Sequence, residues 1–190
     1  YFAAEQVVAL GQRLGRPVRF RPFHMRAVMK EHLGVTQALA DLPLKGDYIR
    51  RDVRRTAAFH GLPYAPAPTA GFSSVNASRV FTLLAPLDEA RAQAYALSVF
   101  RSHHAWGQSP NTWAQCVTLA EAAGLPLSLY QQHRFPDQEL KLTLPFTDTL
   151  PQQLVLYRSL NAPNDKLVEL LFIARHARAL GIKKIWLVAP

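Results

Sequence analysis

The 190-residue sequence predicts an α/β protein in two parts, helix-rich to about Leu125 and strand-bearing after it. Three observations carry that prediction. Apolar residues recur at helical spacing through most of the first 123 positions, with Gly15, Gly34, Gly61 and Gly124 as stops. Beyond Leu125 the texture changes to alternating apolar and polar residues, as in half-buried strands. A strand-helix-strand unit then fills residues 152 to 189, and its last strand is apolar on both faces, which marks a parallel sheet covered on each side.

The elements follow in order. Phe2, Ala3, Val7, Val8, Leu10 and Leu14 lie on one helical stripe, stopped by Gly15. "RPVRFRPF", residues 16 to 23, alternates and meets Pro22, which predicts a short strand. Helices are predicted over 24 to 33 and from about Lys45 to His60, with Gly61 as the stop of the second. "LPYAPAPTAGFSS", residues 62 to 74, is too rich in proline for a helix and reads as an ordered loop. Further helices are predicted over 74 to 85, 88 to 106 and 110 to 123. "LPLSLYQQHRF" and "QELKLTLPF" read as half-buried strands, and "QQLVLYRSL", residues 152 to 160, as a more apolar third. Asn164 is a good N-cap, with Asp165 in the first turn where the helix dipole favours an anion. Leu167, Leu170, Leu171, Ala174 and Ala177 form the expected apolar stripe, His176 and Arg178 occupy the last turn, and Gly181 follows as the stop. "IKKIWLVAP" closes the unit as a strand. A strand of that kind needs neighbours, and the helix-rich half needs a sheet to pack on, so the expectation is a chain cut at both ends and joined near Leu125.

The formal charge is +9, but it is spread: 14 Lys+Arg face 8 Asp+Glu up to residue 125, and 8 face 5 after it. A spread excess marks a solvated surface rather than a nucleic-acid footprint, so no nucleic-acid partner is expected. Cys116 is the sole cysteine, which excludes an internal disulfide and fits a reducing compartment. Its simplest role is that of a small buried apolar residue. No run of 18 apolar residues and no signal-peptide pattern occurs, so the expectation is a cytoplasmic chain with no membrane partner. His103 and His104 with His133 invite a metal reading, but adjacent histidines on a helix point about 100° apart and do not readily share one ion. No metal site is expected, and no phosphate loop or nucleophile elbow is present in the sequence.

Several stretches resemble a known family. "YFAAEQVVAL" is similar to its first helix and "PVRFRPFHMRAVMK" to its second strand and following turn. "PLKGDYIRRDVRRTAAFHGLPY" resembles its Lys-x-x-Tyr-x-x-x-Asp helix, and "FSSVNASRVF" and "AYALSVFRSHHAWGQ" the two helices after it. The family is that of the 2-hydroxychromene-2-carboxylate isomerases, relatives of kappa-class glutathione transferases and, more distantly, of the Dsb-type oxidoreductases. The resemblance over residues 1 to 125 implies a partial thioredoxin-like fold with a helical insertion, without its N-terminal strand and C-terminal part. It implies glutathione as cofactor and a small aromatic carboxylate as substrate. By resemblance Lys30 contacts the substrate, where a fixed cation beside a carboxylate makes chemical sense; the alternative is a solvated surface lysine. Lys45, Tyr48 and Asp52 are spaced to share a helix face, and either line the cleft or form a structural set. Asn76 and Arg79 fall near the family's polar turn, with Ser73 or Ser74 as alternative matches. The family's reactive serine would fall immediately before Tyr1, so no catalytic residue is assigned and the chain as given is expected to be inactive.

Residues 126 to 190 resemble the start of a ribose-phosphate pyrophosphokinase. "HRFPDQELKLTLP" is similar to its Phe-x-Asp-Gly-Glu motif, and "SLNAPNDKLVELLFIARHARALGIKKIWLVAP" to its first full strand-helix-strand. This implies a partial phosphoribosyltransferase-type unit, Mg-ATP as cofactor, and Asp137 and Glu139 as nucleotide-binding residues. Gln138 stands where that motif has glycine, and a side chain there restricts φ at a tight turn. Three readings result: a glutathione-dependent isomerase-like protein, a pyrophosphokinase-like fragment, or a non-enzymatic fusion of two truncated genes. Homo-oligomerisation stays open.

Overall fold

The computed structural model describes residues 1–66, 72–125, 127–146, 150–161 and 163–189. It divides into two compact units, Tyr1–Leu125 and Pro126–Pro190. Part of the proline-rich loop expected over 62 to 74, residues 67–71, lies outside the described residues.

The first unit holds helices α1 (Phe2–Arg13), α2 (Met25–Leu33), α3 (Lys45–His60), α4 (Val75–Leu84), α5 (Glu89–Phe100) and α6 (Trp113–Ala122), with a short 3-10 turn at Leu39–Asp41. The chain runs from α5 directly into a π-helical turn, Arg101–Ala105. The core lies where α4, α5 and α6 meet, around Val80, Leu84, Ala92, Tyr95, Cys116 and Ala120. Tyr95 is fully buried, and its hydroxyl donates to the Ala77 carbonyl at 3.4 Å, so the ring packs without stranding its polar tip. Cys116 is fully enclosed in this core, as a small apolar residue would be. Local chemistry fixes the helix starts. Asp88 accepts from the Arg91 amide at 3.0 Å, and Thr112 with Gln115 forms a complete capping box. Gly61, at φ 62°, ends α3 in the left-handed conformation that a side chain disfavours.

The strand expected over residues 16 to 23 does not form. Val18 and Phe20 do turn partly inward while Arg16, Arg19 and Arg21 point to solvent, so the alternation is real. What is missing is a partner strand among the described residues of this unit. The Val18 carbonyl is satisfied by the Gln93 side chain at 2.7 Å, and Arg19 lies 3.8 Å from Glu89. Alternation specifies a face; a strand also needs a ladder.

The second unit begins with the antiparallel hairpin of β1 (Gln131–Arg134) and β2 (Leu140–Thr143), both shorter than their alternating stretches. It continues as β3 (Gln153–Tyr157), α7 (Pro163–Ala179) and β4 (Lys184–Val188), with β3 and β4 paired in parallel from Gln153 opposite Lys184 to Tyr157 opposite Val188. Two expectations are corrected here. Asn164 lies inside α7, which starts with Pro163, because proline at the first helical position gives up an amide that had no partner anyway. The buried stripe is Glu169, Leu170, Ile173 and Ala177, whereas Leu167 and Leu171 are exposed. The inward pull on Glu169 sets this rotation, as described below. In β4, Trp186 and Leu187 are exposed, so the strand is not covered on both faces in this structure.

Candidate functional site

The densest chemistry of the first unit gathers at the amino end of α1. Tyr1 is the N-cap residue of this helix and makes no side-chain cap bond. Glu5 in the first turn is nearly buried at 9% exposure, and Arg101 grips it in a bidentate pair, Nε to Oε1 at 2.7 Å and an Nη to Oε2 at 2.6 Å. That fork ties α1 to the π-helical turn. The turn in turn presents two imidazoles. His104 stacks on Tyr1, with ring centroids 5.6 Å apart, and its carbonyl accepts from the Ala65 amide at 2.8 Å. His103 stacks on Phe72 at 4.0 Å, and its Nδ1 lies 2.8 Å from Ser109 Oγ. Phe2 and Tyr64 add a tilted ring pair at 6.4 Å. Burial pushes both imidazoles below the usual histidine range, His104 to about 4 with the neighbouring His103 adding to the effect, so both are neutral near pH 7.

The expected site residues are distributed differently. Lys30 is exposed on α2. Lys45 and Tyr48 are exposed on α3, and Asp52 on the same helix is paired with Arg55 at 2.5 Å. Asn76 donates to the Asn111 carbonyl at 2.8 Å, while the Ser73 amide donates to Asn111 Oδ1 at 3.0 Å. Asn76 and Ser73 therefore clasp the chain just before α6, and Arg79 stays exposed. Ser74 is the N-cap residue of α4 without a side-chain cap bond. Sequence reasoning did not single out Tyr1, Phe2, Tyr64, Phe72 and Ser109, nor the Glu5–Arg101 pair, which joins residues 96 positions apart. The one available signal was the concentration of histidine and aromatic residues in "FRSHHAW".

In the second unit, Asp137 and Glu139 flank the β1–β2 turn, where Asp137 Oδ1 accepts from the Glu139 amide at 3.1 Å. Gln138 between them adopts φ 71°, the left-handed region that favours glycine. A separate polar knot is built on Glu169, 2% exposed, which accepts from the Tyr130 hydroxyl at 3.2 Å, Gln132 Nε2 at 2.8 Å and an Arg158 Nη at 2.5 Å. Three donors satisfy the carboxylate, so the knot is a structural tie between β1, β3 and α7. Among the described residues, no three His, Cys, Asp or Glu side chains converge to hold a metal ion, and no helix is long and apolar enough to cross a membrane.

A family model described as a DsbA-like thioredoxin domain matches residues 1–144. The solved structure of a selenomethionine 2-hydroxychromene-2-carboxylate isomerase is similar at a TM-score of 0.56 and 24% identity, covering 66% of this chain. This chain spans 60% of that protein's length, and at that identity the likeness is one of fold. None of the curated proteins compared with the chain matches it.

Proposed function

We infer that this chain, which belongs to the DsbA-like thioredoxin domain family, is a glutathione-dependent, isomerase-type protein that takes a small aromatic carboxylate. One observation carries the reading: the rings of Tyr1, Phe2, Tyr64, Phe72, His103 and His104 form a connected aromatic set. Ring faces accommodate a planar aromatic body. 2-Hydroxychromene-2-carboxylate isomerase shares the fold, and the substrate class is the one implied by the resemblance of residues 1 to 125. Lys30, exposed on α2, is the cation that the resemblance assigns to the substrate. Calorimetric titration of the full chain tests the reading. Glutathione is expected to bind with a Kd at or below the millimolar range, and an aromatic 2-hydroxy carboxylate to bind in its presence. No heat with either ligand removes the proposal.

A second reading concerns residues 126–190 alone. Gln138 adopts the left-handed conformation at the position where the pyrophosphokinase motif has glycine, and β3, α7 and β4 make a parallel strand-helix-strand. Both features support a resemblance to the start of a ribose-phosphate pyrophosphokinase, with Asp137 and Glu139 beside the nucleotide. Two carboxylates, one of them already holding a backbone amide, do not by themselves make a magnesium site, so no step through Mg-ATP is derived. A change in the amide spectrum of the β1–β2 turn on adding Mg-ATP is expected on this reading; an unchanged spectrum removes it.

A further inference from the structure

The π-helical turn and the loop after it pair His103 with Ser109, and the proposed function draws on the His103 ring but not on the proton chemistry of this pair. We propose that Ser109 is a nucleophile activated by His103, and that it accepts acyl or phosphoryl groups from electrophilic esters. Ser109 Oγ and His103 Nδ1 are 2.8 Å apart, within reach for direct proton transfer. The base is buried at 6% exposure while the serine is half-buried, so an incoming electrophile meets the hydroxyl first.

The pair is held by its surroundings. The His103 ring lies nearly parallel to Phe72, with an interplanar angle of 14° and centroids 4.0 Å apart, which fixes the imidazole plane. Ser102 Oγ donates to the Gln108 carbonyl at 2.7 Å, and the Gln108 amide donates back to the Ser102 carbonyl at 2.7 Å. Gly107, at φ 68°, reverses the chain between them, and this closed loop brings Ser109 back over the ring six positions earlier. A π-helical turn widens the helix by one residue, and such turns recur at functional sites.

Burial keeps His103 neutral, so with the ring hydrogen on Nε2 the Nδ1 lone pair accepts the serine proton. The step balances as acyl transfer. Oγ attacks the carbonyl carbon while its proton passes to Nδ1. The ester C–O bond breaks, and the departing alkoxide takes that proton back from the imidazolium, leaving an acyl-serine and an alcohol. With a fluorophosphonate the bond formed is P–O, the bond broken is P–F, and fluoride leaves with the proton.

The test uses a fluorophosphonate probe on the full chain, without glutathione, so its outcome is independent of the proposed function. Native protein is expected to gain one adduct, mapped by peptide mass to Ser109, and the chain unfolded in urea is expected to gain none. Ser109→Ala is expected to abolish the adduct, and His103→Gln to slow labelling roughly 10²-fold. No adduct on the native chain, an adduct on a different residue, or equal labelling of native and unfolded protein overturns the proposal. The native-chain mapping decides the matter even if His103→Gln fails to fold.

Discussion

At the residue scale, the Glu169 carboxylate is enclosed and its charge is balanced by Arg158, whose side chain is 29% exposed. Removing one member of such a pair leaves an uncompensated buried charge. Glu169→Ala is expected to destabilise the second unit by about 3 kcal/mol, and replacing Glu169 and Arg158 together by leucine to cost less than the single change. Urea denaturation of the two variants checks this; a double variant weaker than Glu169→Ala contradicts it. Gln138 gives a prediction of opposite sign. Its left-handed φ strains any side chain, so Gln138→Gly is expected to stabilise the hairpin turn by about 0.5–1 kcal/mol, read as a higher melting temperature. His104 supplies a pH dependence. Its imidazole is held at about 4 in the fold against about 6.5 when unfolded, by burial, by the neighbouring His103 and by the α-ammonium of Tyr1, whose ring stacks on it. The unfolded chain takes up the proton first, so stability is full above about pH 6.5 and falls as pH drops toward about 4. His104→Phe is expected to flatten that part of the stability profile, and an unchanged profile contradicts the assignment.

At the element scale, the helices were legible because their signals are local. Gly61, Gly34 and the Thr112 cap each act within a few residues of the end they define. Thr112→Ala is accordingly expected to cost about 1 kcal/mol, since it removes the hydroxyl that accepts from the Gln115 amide at the start of α6. Elements that depend on distant partners were less legible. Residues 16 to 23 alternate like a strand but are held by Gln93 and Glu89, which no local pattern announces. The buried face of α7 was legible at Leu170 and Ala177 and missed elsewhere for a related reason. Leucine spacing pointed to Leu167 and Leu171, but the donors of Tyr130, Gln132 and Arg158 draw Glu169 inward and turn the leucines out. The head of α1 follows the same logic, because the Glu5–Arg101 fork spans most of the first unit's length.

At the scale of the whole molecule, the family match reaches residue 144 while the first compact unit ends at Leu125. The matched stretch therefore includes the β1–β2 hairpin of the second unit. The proposed function belongs to the first unit, where the rings of Tyr1 and Phe72 stack on the imidazoles of His104 and His103. Hydrogen–deuterium exchange of the full chain, with and without saturating glutathione, tests that account most directly. Bound glutathione is predicted to slow exchange at the amides of Phe2–Glu5 and of the turn from Arg101 to Ser109, and to leave β1 to β4 unchanged. Exchange that does not slow at the head of α1, or that slows only in the second unit, contradicts it.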